Sequence, residues 1–328
     1  MATEPTSGCW AAAQGWTGLP LDSERLRLRR QDERDVPALV ALAGDWEVAR
    51  WTAVIPHPFT EADARAYVAG SGRENRVAFA IERRIGGALI GCLGIERARV
   101  GDGGTGDIGY GIGRPYWGAG YAGEAVRRAT RCAFRELGLA ALEAEVMQGN
   151  DASARVLEKA GFRRAGEAVG VRGRCAGLAT LRYRLECHDW VARDAAKPVV
   201  LVVAAALVDA DGRVLLAQRP EGRKMAGLWE FPGGKVGAGE TPEAALIREL
   251  DEELGIDTRE SCLAPFTFAS HEYEDFRLLM PLYVCRVWRG TPRAKEGQTL
   301  AWVRPRRMAD YPMPPADIPL VAMLSDLL

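Results

Sequence analysis

The sequence has little of the chemistry that marks disulfide-stapled or zinc-binding proteins. Its three histidines, His57, His188 and His271, lie far apart, and its seven cysteines are odd in number and lack CxxC spacing. These features argue against a disulfide framework and against a zinc or histidine-based metal site. The longest apolar run, 199–208, is too short to span a bilayer, and no charged-then-apolar leader begins the chain. We therefore expect a cytoplasmic protein.

An excess of charge of one sign is also missing. The formal net charge is −1, so no overall field recruits nucleic acid or a membrane, and we expect neither as a partner. The 328 residues suffice for two domains of ordinary size. A hydrophobic content of 48% supplies material for real cores.

Two stretches lack any apolar periodicity and delimit the predicted domains. The N-terminal residues are rich in small residues and predict a flexible tail, with Trp10 and Trp16 as points of attachment. A short polar stretch before Pro198 predicts a linker. The predicted order is tail, domain, linker and domain, with bounds 1–22, 23–187, 188–197 and 198–328.

The first domain alternates strand-like and helix-like segments. Leu26 and Leu28 alternate with arginines as in a strand, and Thr60 can cap a helix. That helix has a predicted small-residue face at Ala62, Ala66 and Ala69. Further strands are expected at 77–82, 88–96, 106–112 and 141–146, and further helices at 32–42, 120–137 and 150–161.

A glycine turn between strand and helix is the first candidate site. In Arg-Pro-Tyr-Trp-Gly-Ala-Gly-Tyr-Ala-Gly-Glu-Ala (114–125), Gly118 and Gly120 permit a tight turn directly before a helix. A helix N-terminus offers free N–H groups and a positive dipole end, which suit a phosphate, although a purely structural turn is the alternative. A later helix begins at Asn150 and closes at Gly161-Phe. Together these segments resemble the GNAT acetyltransferases over about 23–186, in particular the branch that modifies ribosomal-protein N-termini.

The GNAT resemblance implies roles for particular residues. Asn150 would lie near the pantetheine arm of acetyl-CoA. Leu157 occupies the position where many members have a tyrosine that protonates the leaving thiolate, so Ser153 is the suggested substitute. Asp107 is the candidate base for the acceptor amine. Ordinary alternatives are a helix-surface serine and an edge-strand charge. The pyrophosphate would be bound by Trp117, Gly118, Ala119, Gly120, Tyr121 and Ala122.

A helix with an apolar stripe and an acidic face is the second candidate site. Thr241 can cap it and Pro242 can begin it. An apolar stripe is formed by Leu246, Leu250 and Leu254. Three acids crowd the adjacent face and repel one another, namely Glu249, Glu252 and Glu253. A solvated acidic face is the alternative to a site for a hard cation such as Mg²⁺ or Mn²⁺.

The spacing around these acids resembles the full Nudix box, from Gly234 to Ile256. The resemblance implies hydrolysis of a nucleoside diphosphate linked to another group. Glu249 would activate water, Glu253 would be required for turnover, and Arg248 would pair with a box carboxylate. Glu240 would stabilise the loop or reach the metals. The implied metal ligands are the Gly233 carbonyl, Glu249, Glu252, Glu253 and Glu296.

Residues outside the box narrow the resemblance to MutT-like nucleotide-pool sanitisers, which act on 8-oxo-dGTP. Arg219 and Phe231 lie in matching pieces and would contact the nucleotide. Asp317 replaces the base-reading asparagine, which both donates and accepts. Two alternatives remain. Burial keeps Asp317 protonated, so that it mimics asparagine, or Asp317 accepts a hydrogen bond from an amino group such as that of cytosine. The candidate substrate is 8-oxo-dGTP, with CTP or a modified pyrimidine nucleotide and a non-catalytic acetyl-CoA-binding or docking GNAT domain as the alternative.

The second domain also has a predicted order of elements. The turn 209–212 is expected to join the strand 199–208 to its hairpin partner 214–218. Later strands are expected at 263–271, 277–288 and 300–303, and a closing helix at 319–328. The predicted fold class is mixed α/β (α+β), with a GNAT mixed-sheet fold followed by a Nudix α/β/α sandwich.

Overall fold

The computed structural model describes residues 18–53, 55–72, 75–97, 104–171, 173–223, 225–273 and 275–328. The chain divides into two compact units, Met1–Ala195 and Ala196–Leu328. Trp10 and Trp16, the predicted attachment points of the tail, lie outside the described residues. Within the described ranges, every helix is too short or too polar to cross a membrane.

The first unit is built on one eight-stranded sheet in the order β1-β2-β3-β4-β5-β6-β8-β7. All neighbours are antiparallel except β5 and β6, which run parallel. The strands are β1 Leu21–Asp22, β2 Leu26–Arg30, β3 Arg76–Arg83, β4 Leu89–Arg97, β5 Thr105–Ile112, β6 Ala141–Met147, β7 Arg163–Val169 and β8 Ala179–Glu186. Neither β7 nor β8 was predicted from the sequence.

Helices cover this sheet and complete two apolar cores. The larger core joins the sheet to α4 and α5, and the smaller one joins α1 and α3 to β4. The helices are α1 Val36–Ala43, α2 Trp46–Ala49, α3 Glu61–Ala69, α4 Tyr121–Arg135, α5 Asp151–Ala160 and α6 Cys187–Ala195.

The parallel pair β5 and β6 separates after a short contact. Only Thr105–Asp107 pairs with Ala141–Glu143. The remainder of β5 continues beside β4, whereas the remainder of β6 continues beside β8. The sheet therefore opens between β5 and β6, and both the turn into α4 and the start of α5 follow from the open ends of these strands.

Three expectations for this unit need correction. The predicted tail includes Leu21, which is buried and pairs in β1 because it completes the core beside β2. The predicted alanine face of α3 is exposed, and the buried residues are Ala64 and Val68. The polar stretch before Pro198, predicted as a linker, is largely helical as α6. Two contacts hold this helix against α4: the ring centres of Trp190 and Phe134 lie 5.5 Å apart, and Asp194 pairs with Arg135 at 2.7 Å.

The second unit contains two sheets and two helices. The sheet orders are β11-β10-β15 and β12-β9-β14-β13. The elements are β9 Val199–Leu207, β10 Val214–Gln218, β11 Trp229–Glu230, β12 Gly233–Lys235, α7 Pro242–Leu254, β13 Leu263–Glu272, β14 Arg277–Cys285, β15 Thr299–Val303 and α8 Ile318–Leu327.

The central strand β9 separates two cores. Alternate residues such as Val203 and Ala205 face α7, whereas Ala204 and Ala206 face α8. This follows from the two-residue period of a strand, which sends successive side chains to opposite faces. The unit is therefore an α/β/α sandwich, and the predicted mixed α/β class with two domains is confirmed.

The predicted hairpin between β9 and β10 is wrong. Only one isolated bridge, Val208 with Val214, joins the two segments. Instead, β9 pairs with β12 and β14, and β10 pairs with β11 and β15. The local turn signal at 209–212 is real, but pairing with distant strands determines which sheet each segment joins.

Candidate functional sites

The acidic helix α7 is held in place by its caps and its apolar stripe. Thr241 Oγ1 accepts the N–H of Ala244 at 3.1 Å, and Gly255 ends the helix in the left-handed region at φ 66°. Its buried stripe consists of Leu246, Leu250 and Leu254, each 0% exposed. Because this face is fixed in the core, the adjacent acidic face is directed towards the glycine loop.

Arg248 links several of the predicted site carboxylates. Its guanidinium lies 2.9 Å from Glu249, 3.1 Å from Glu252 and 2.9 Å from Glu240. Glu240 also accepts the N–H of Gly237 at 2.8 Å. The hydrogen bonds from Arg248 and Gly237 lower the pKa of Glu240 to about 2. These contacts match those expected of Arg248 and of Glu240 as a loop-stabilising residue.

Glu253 lies apart from this arginine. Its carboxylate faces the N–H of Gly233 at 3.4 Å, and no described arginine or lysine forms an ion pair with it. Burial, together with the nearby charges of Glu230, Glu249 and Glu296, raises the pKa of Glu253 to about 7. The structure therefore brings together negative charges that are not fully offset by cations in the described residues.

The carboxylates suit a hard cation in chemistry but are not assembled around one position. Among the described residues, no group of three or more His, Cys, Asp or Glu side chains is placed to hold a metal. Arg248 engages Glu249 and Glu252, while Glu296 pairs with Arg223 at 3.0 Å. The oxygen donors and the surplus negative charge at Glu253 fit Mg²⁺ or Mn²⁺ once these carboxylates turn towards it.

A second group of residues surrounds the predicted base-reading position. Asp317 is 5% exposed, and its Oδ1 faces the N–H of Phe231 at 3.4 Å. Burial and the neighbouring Glu230 raise the pKa of Asp317 to about 8, against the opposing effects of the Phe231 N–H and Arg219. The carboxyl group is thus mostly protonated at neutral pH.

Glu230 lies between Arg219 and Asp317, two of the predicted nucleotide-binding residues, and was not itself predicted as a site residue. It pairs with Arg219 at 2.7 Å, and burial raises its pKa. Its charge also acts on both Asp317 and Glu253. Its role could have been predicted from its place in the Glu-Phe-Pro-Gly-Gly segment, which has a counterpart in the MutT-like enzymes.

In the first unit, the predicted phosphate site Trp117–Ala122 forms one continuous turn into α4. Gly118 and Gly120 have φ values of 76° and 81°, a region that favours glycine. Trp117 Nε1 donates to the Ile112 carbonyl at 2.7 Å, which ties the turn to the end of β5. The first N–H groups of α4 have no acceptor within the helix, so they can bind an anion.

The start of α5 brings three polar groups together. Asn150 Oδ1 accepts the N–H of Ser153 at 3.2 Å, as a helix cap. The Ser153 hydroxyl lies 2.9 Å from the hydroxyl of Tyr110, which also donates to the Ser153 carbonyl at 3.2 Å. Burial raises the pKa of Tyr110 to about 12, so this phenol stays protonated. Tyr110 was missed because 43 residues separate it from Ser153.

Asp107 is not placed with these groups. It lies where β5 still pairs with β6, opposite Glu143. It precedes Tyr110 by three positions, about 10 Å along a strand, and this odd spacing puts the two side chains on opposite faces. The structure therefore unites Asn150 and Ser153 with Tyr110, but not with Asp107.

Comparisons with known proteins match a different family to each of the two units. A family model described as an acetyltransferase (GNAT) domain matches residues 25–163, and a NUDIX domain model matches residues 203–323. The N-acetyltransferase p20 of Bacillus licheniformis, whose function is uncharacterized, is 30% identical over 153 residues, which are 44% of this chain and 83% of that protein.

The second unit has close relatives of two kinds. A CTP pyrophosphohydrolase of Escherichia coli is 44% identical over 124 residues, 37% of this chain and 89% of that protein. An 8-oxo-dGTP diphosphatase of Haemophilus influenzae is 38% identical over 128 residues, 39% of this chain and 93% of that protein. The chain belongs to both families. It joins a GNAT acetyltransferase domain to a Nudix hydrolase domain. GNAT acetyltransferases use acetyl-CoA, and Nudix hydrolases generally use divalent metals.

Proposed function

We propose that the Nudix domain hydrolyses 8-oxo-dGTP to 8-oxo-dGMP and pyrophosphate in a Mg²⁺-dependent reaction. The observation that carries this proposal is the buried carboxyl of Asp317 beside the Phe231 N–H. A protonated carboxyl has one O–H donor and a carbonyl acceptor, like the two sides of an amide. It can donate to O6 and accept from N7–H of oxidised guanine, which an ionised carboxylate cannot do.

The reacting phosphates would lie near the acidic face of α7. Glu249, Glu252, Glu253, Glu296 and the Gly233 carbonyl would hold Mg²⁺. The ion supplies charge neutralisation on the triphosphate and a Lewis acid for the attacked phosphorus when bound. Glu249 would take the proton of the attacking water. Arg248 would hold the Glu249 carboxylate in one orientation through their ion pair.

A second substrate is favoured by the relative that acts on CTP. Cytosine presents an amino donor, which either form of Asp317 can accept. The 44% identity to a CTP pyrophosphohydrolase therefore supports a pyrimidine nucleotide as the alternative. The difference between the two readings is chemical, because only the purine reading requires the proton on Asp317.

The test is a panel of nucleoside triphosphates with Mg²⁺, scored for monophosphate and pyrophosphate products. We expect 8-oxo-dGTP to have the highest kcat/KM. Comparable values for dGTP, CTP and 8-oxo-dGTP would overturn the sanitising role, and a clear preference for CTP would establish the alternative.

The metal assignment has its own variant and control. Glu253→Gln should abolish pyrophosphate release while the fold persists, because a proposed metal-holding charge is lost. Asp251→Asn is a matched control, since Asp251 lies on the same helix, is exposed, and pairs only loosely with Lys295 at 3.7 Å. Undiminished turnover of Glu253→Gln would exclude the metal role.

We further propose that the GNAT domain transfers an acetyl group from acetyl-CoA to an amine. The turn 117–122 would bind the pyrophosphate, and Asn150 would lie near the pantetheine arm. Ser153 would protonate the leaving thiolate, with its hydroxyl positioned by Tyr110. Asp107 remains the proposed base, although the strand geometry separates it from Ser153.

A non-catalytic acetyl-CoA sensor is the alternative for this domain, favoured by Leu157 at the usual tyrosine position. Calorimetry with acetyl-CoA followed by an acetylation assay on amine libraries separates the two. Binding with turnover of any amine supports the transferase. Tight binding without turnover across the libraries supports the sensor.

A further inference from the structure

Arg25, which immediately precedes β2, lies against the glycine turn although more than ninety residues separate them in the sequence. Its Nη1 donates to the Ala119 carbonyl at 2.8 Å, inside the turn. A Cβ placed on Gly120 would lie 3.5 Å from its Nη2. Its guanidinium carbon also lies 4.6 Å from the centre of the Tyr121 ring. Three consecutive residues of the turn thus contact one side chain.

A buried carboxylate fixes this arginine. Glu124, on the first turn of α4, is 6% exposed. Its carboxylate accepts two hydrogen bonds from Arg25, one from Nε and one from the backbone N–H, each at 2.7 Å. Ser23 Oγ donates to the same carboxylate at 2.8 Å. A charge-assisted pair of this geometry sets the direction of the guanidinium and so of its remaining donors.

The result is an added positive charge at a helix N-terminus. The free N–H groups of α4 and its dipole already favour an anion. Arg25 uses Nε and Nη1 in the contacts above, and its Nη2 lies beside Gly120. Its side chain is 41% exposed, so a ligand can reach it.

We propose that Arg25 is a positioning residue for the pyrophosphate of acetyl-CoA. Through Ala119 and Glu124 it holds the turn in its phosphate-binding shape, and its Nη2 faces the same anion. This inference rests on the proposed binding of acetyl-CoA by the first domain. It adds to that site a residue from the segment before β2, outside the glycine segment.

The experiment measures binding, so it does not require the acetyl acceptor. Calorimetry is done on the full chain in EDTA, which removes cation-dependent nucleotide binding by the Nudix domain. The probes are acetyl-CoA and S-acetylpantetheine, which lacks the pyrophosphate. Arg25→Ala should weaken acetyl-CoA binding about tenfold or more while S-acetylpantetheine binding stays within about twofold, as expected for a lost charge-assisted contact.

Two further variants make the result specific. Arg27→Ala is the matched control, because Arg27 lies two residues further along the chain, is 43% exposed and pairs with Asp22 at the surface. It should bind acetyl-CoA like the wild type. Arg25→Ala leaves Glu124 buried without its cation, which can harm the fold. The double variant R25M/E124Q removes both charges and should show the same selective loss.

The outcomes separate the inference from the function on which it rests. If the wild type does not bind acetyl-CoA, the proposed function of the first domain fails, and this inference fails with it. If the wild type binds and the Arg25 variants bind equally well, only the inference is overturned. Equal weakening of both probes also overturns it, because that result indicates general damage rather than a pyrophosphate effect.

Discussion

Because Asp317 titrates, we expect the rate of hydrolysis to depend on pH in a way that differs with the base of the nucleotide. With a pKa of about 8, the carboxyl is protonated in about nine tenths of molecules at pH 7 and about one tenth at pH 9. Only the protonated form donates to O6 of oxidised guanine. We therefore expect kcat/KM for 8-oxo-dGTP to fall about tenfold over this range through base recognition alone.

The assay compares two substrates on one enzyme. Alkaline pH also changes the metal and the attacking water, but these effects act equally on 8-oxo-dGTP and CTP. The ratio of kcat/KM for 8-oxo-dGTP to kcat/KM for CTP therefore reports only the recognition of the base. It should fall with a midpoint near pH 8, because cytosine donates its amino hydrogen to either form of the carboxyl.

Asp317→Asn is the decisive variant. An amide keeps the donor and acceptor at every pH, so the variant should retain 8-oxo-dGTP hydrolysis at pH 7, with a substrate ratio that no longer depends on pH. A wild-type ratio that is flat from pH 7 to pH 9 would refute the reasoning. Loss of 8-oxo-dGTP hydrolysis in the variant would do the same.

The same group affects stability. Folded Asp317 keeps its proton up to pH about 8, whereas in the unfolded chain it ionises near 3.8. The folded state therefore binds the extra proton between these values, and the free energy of unfolding decreases as pH rises through this window. Each pKa unit corresponds to about 1.4 kcal/mol. Above pH 8, Asp317→Asn should therefore raise the free energy of unfolding of the Nudix domain above that of the wild type by up to several kcal/mol.

Four further predictions concern the two sites. Gly234→Ala should lower nucleotide hydrolysis about a hundredfold in a steady-state assay with the fold retained, because its Cβ would overlap the Glu249 carboxylate and displace it. Mg²⁺ at about a hundred times its Kd should raise the free energy of unfolding of the Nudix domain by about 2.7 kcal/mol, and a thermal melt of Glu253→Gln should show a smaller shift. Ser153→Ala should slow acetyl transfer about a hundredfold. Tyr110→Phe should slow it about tenfold in kcat with KM for acetyl-CoA unchanged, and an effect on KM alone would contradict the positioning role.

Local rules predicted some elements well. The helix α7 begins at Pro242 after Thr241, and its buried face is the predicted leucine stripe. The turn at Gly118 and Gly120 likewise follows from residue type. These features depend on a few adjacent residues, so a sequence contains the information that determines them.

Other elements depend on distant partners, and the sequence did not reveal them. The strand β7 is exposed along most of its length and exists by pairing with β8. The segment of β9 and β10 has a hairpin signal, yet each strand completes a different sheet. Contacts such as Arg25 with Ala119 join residues far apart in the chain, so no local pattern contains them.

The acidic end of α7 shows where local rules fail for a reason. Glu252 and Glu253 lie at the C-terminal end of the helix, where its dipole is negative, and its last turn contains no basic residue. Arg248 is shared among three carboxylates, while Glu253 is half-buried near further acids. A helix selected for stability alone would place lysine or arginine there. Violations of this kind are expected where a site is completed by a ligand, and a divalent cation is the ligand that removes the repulsion.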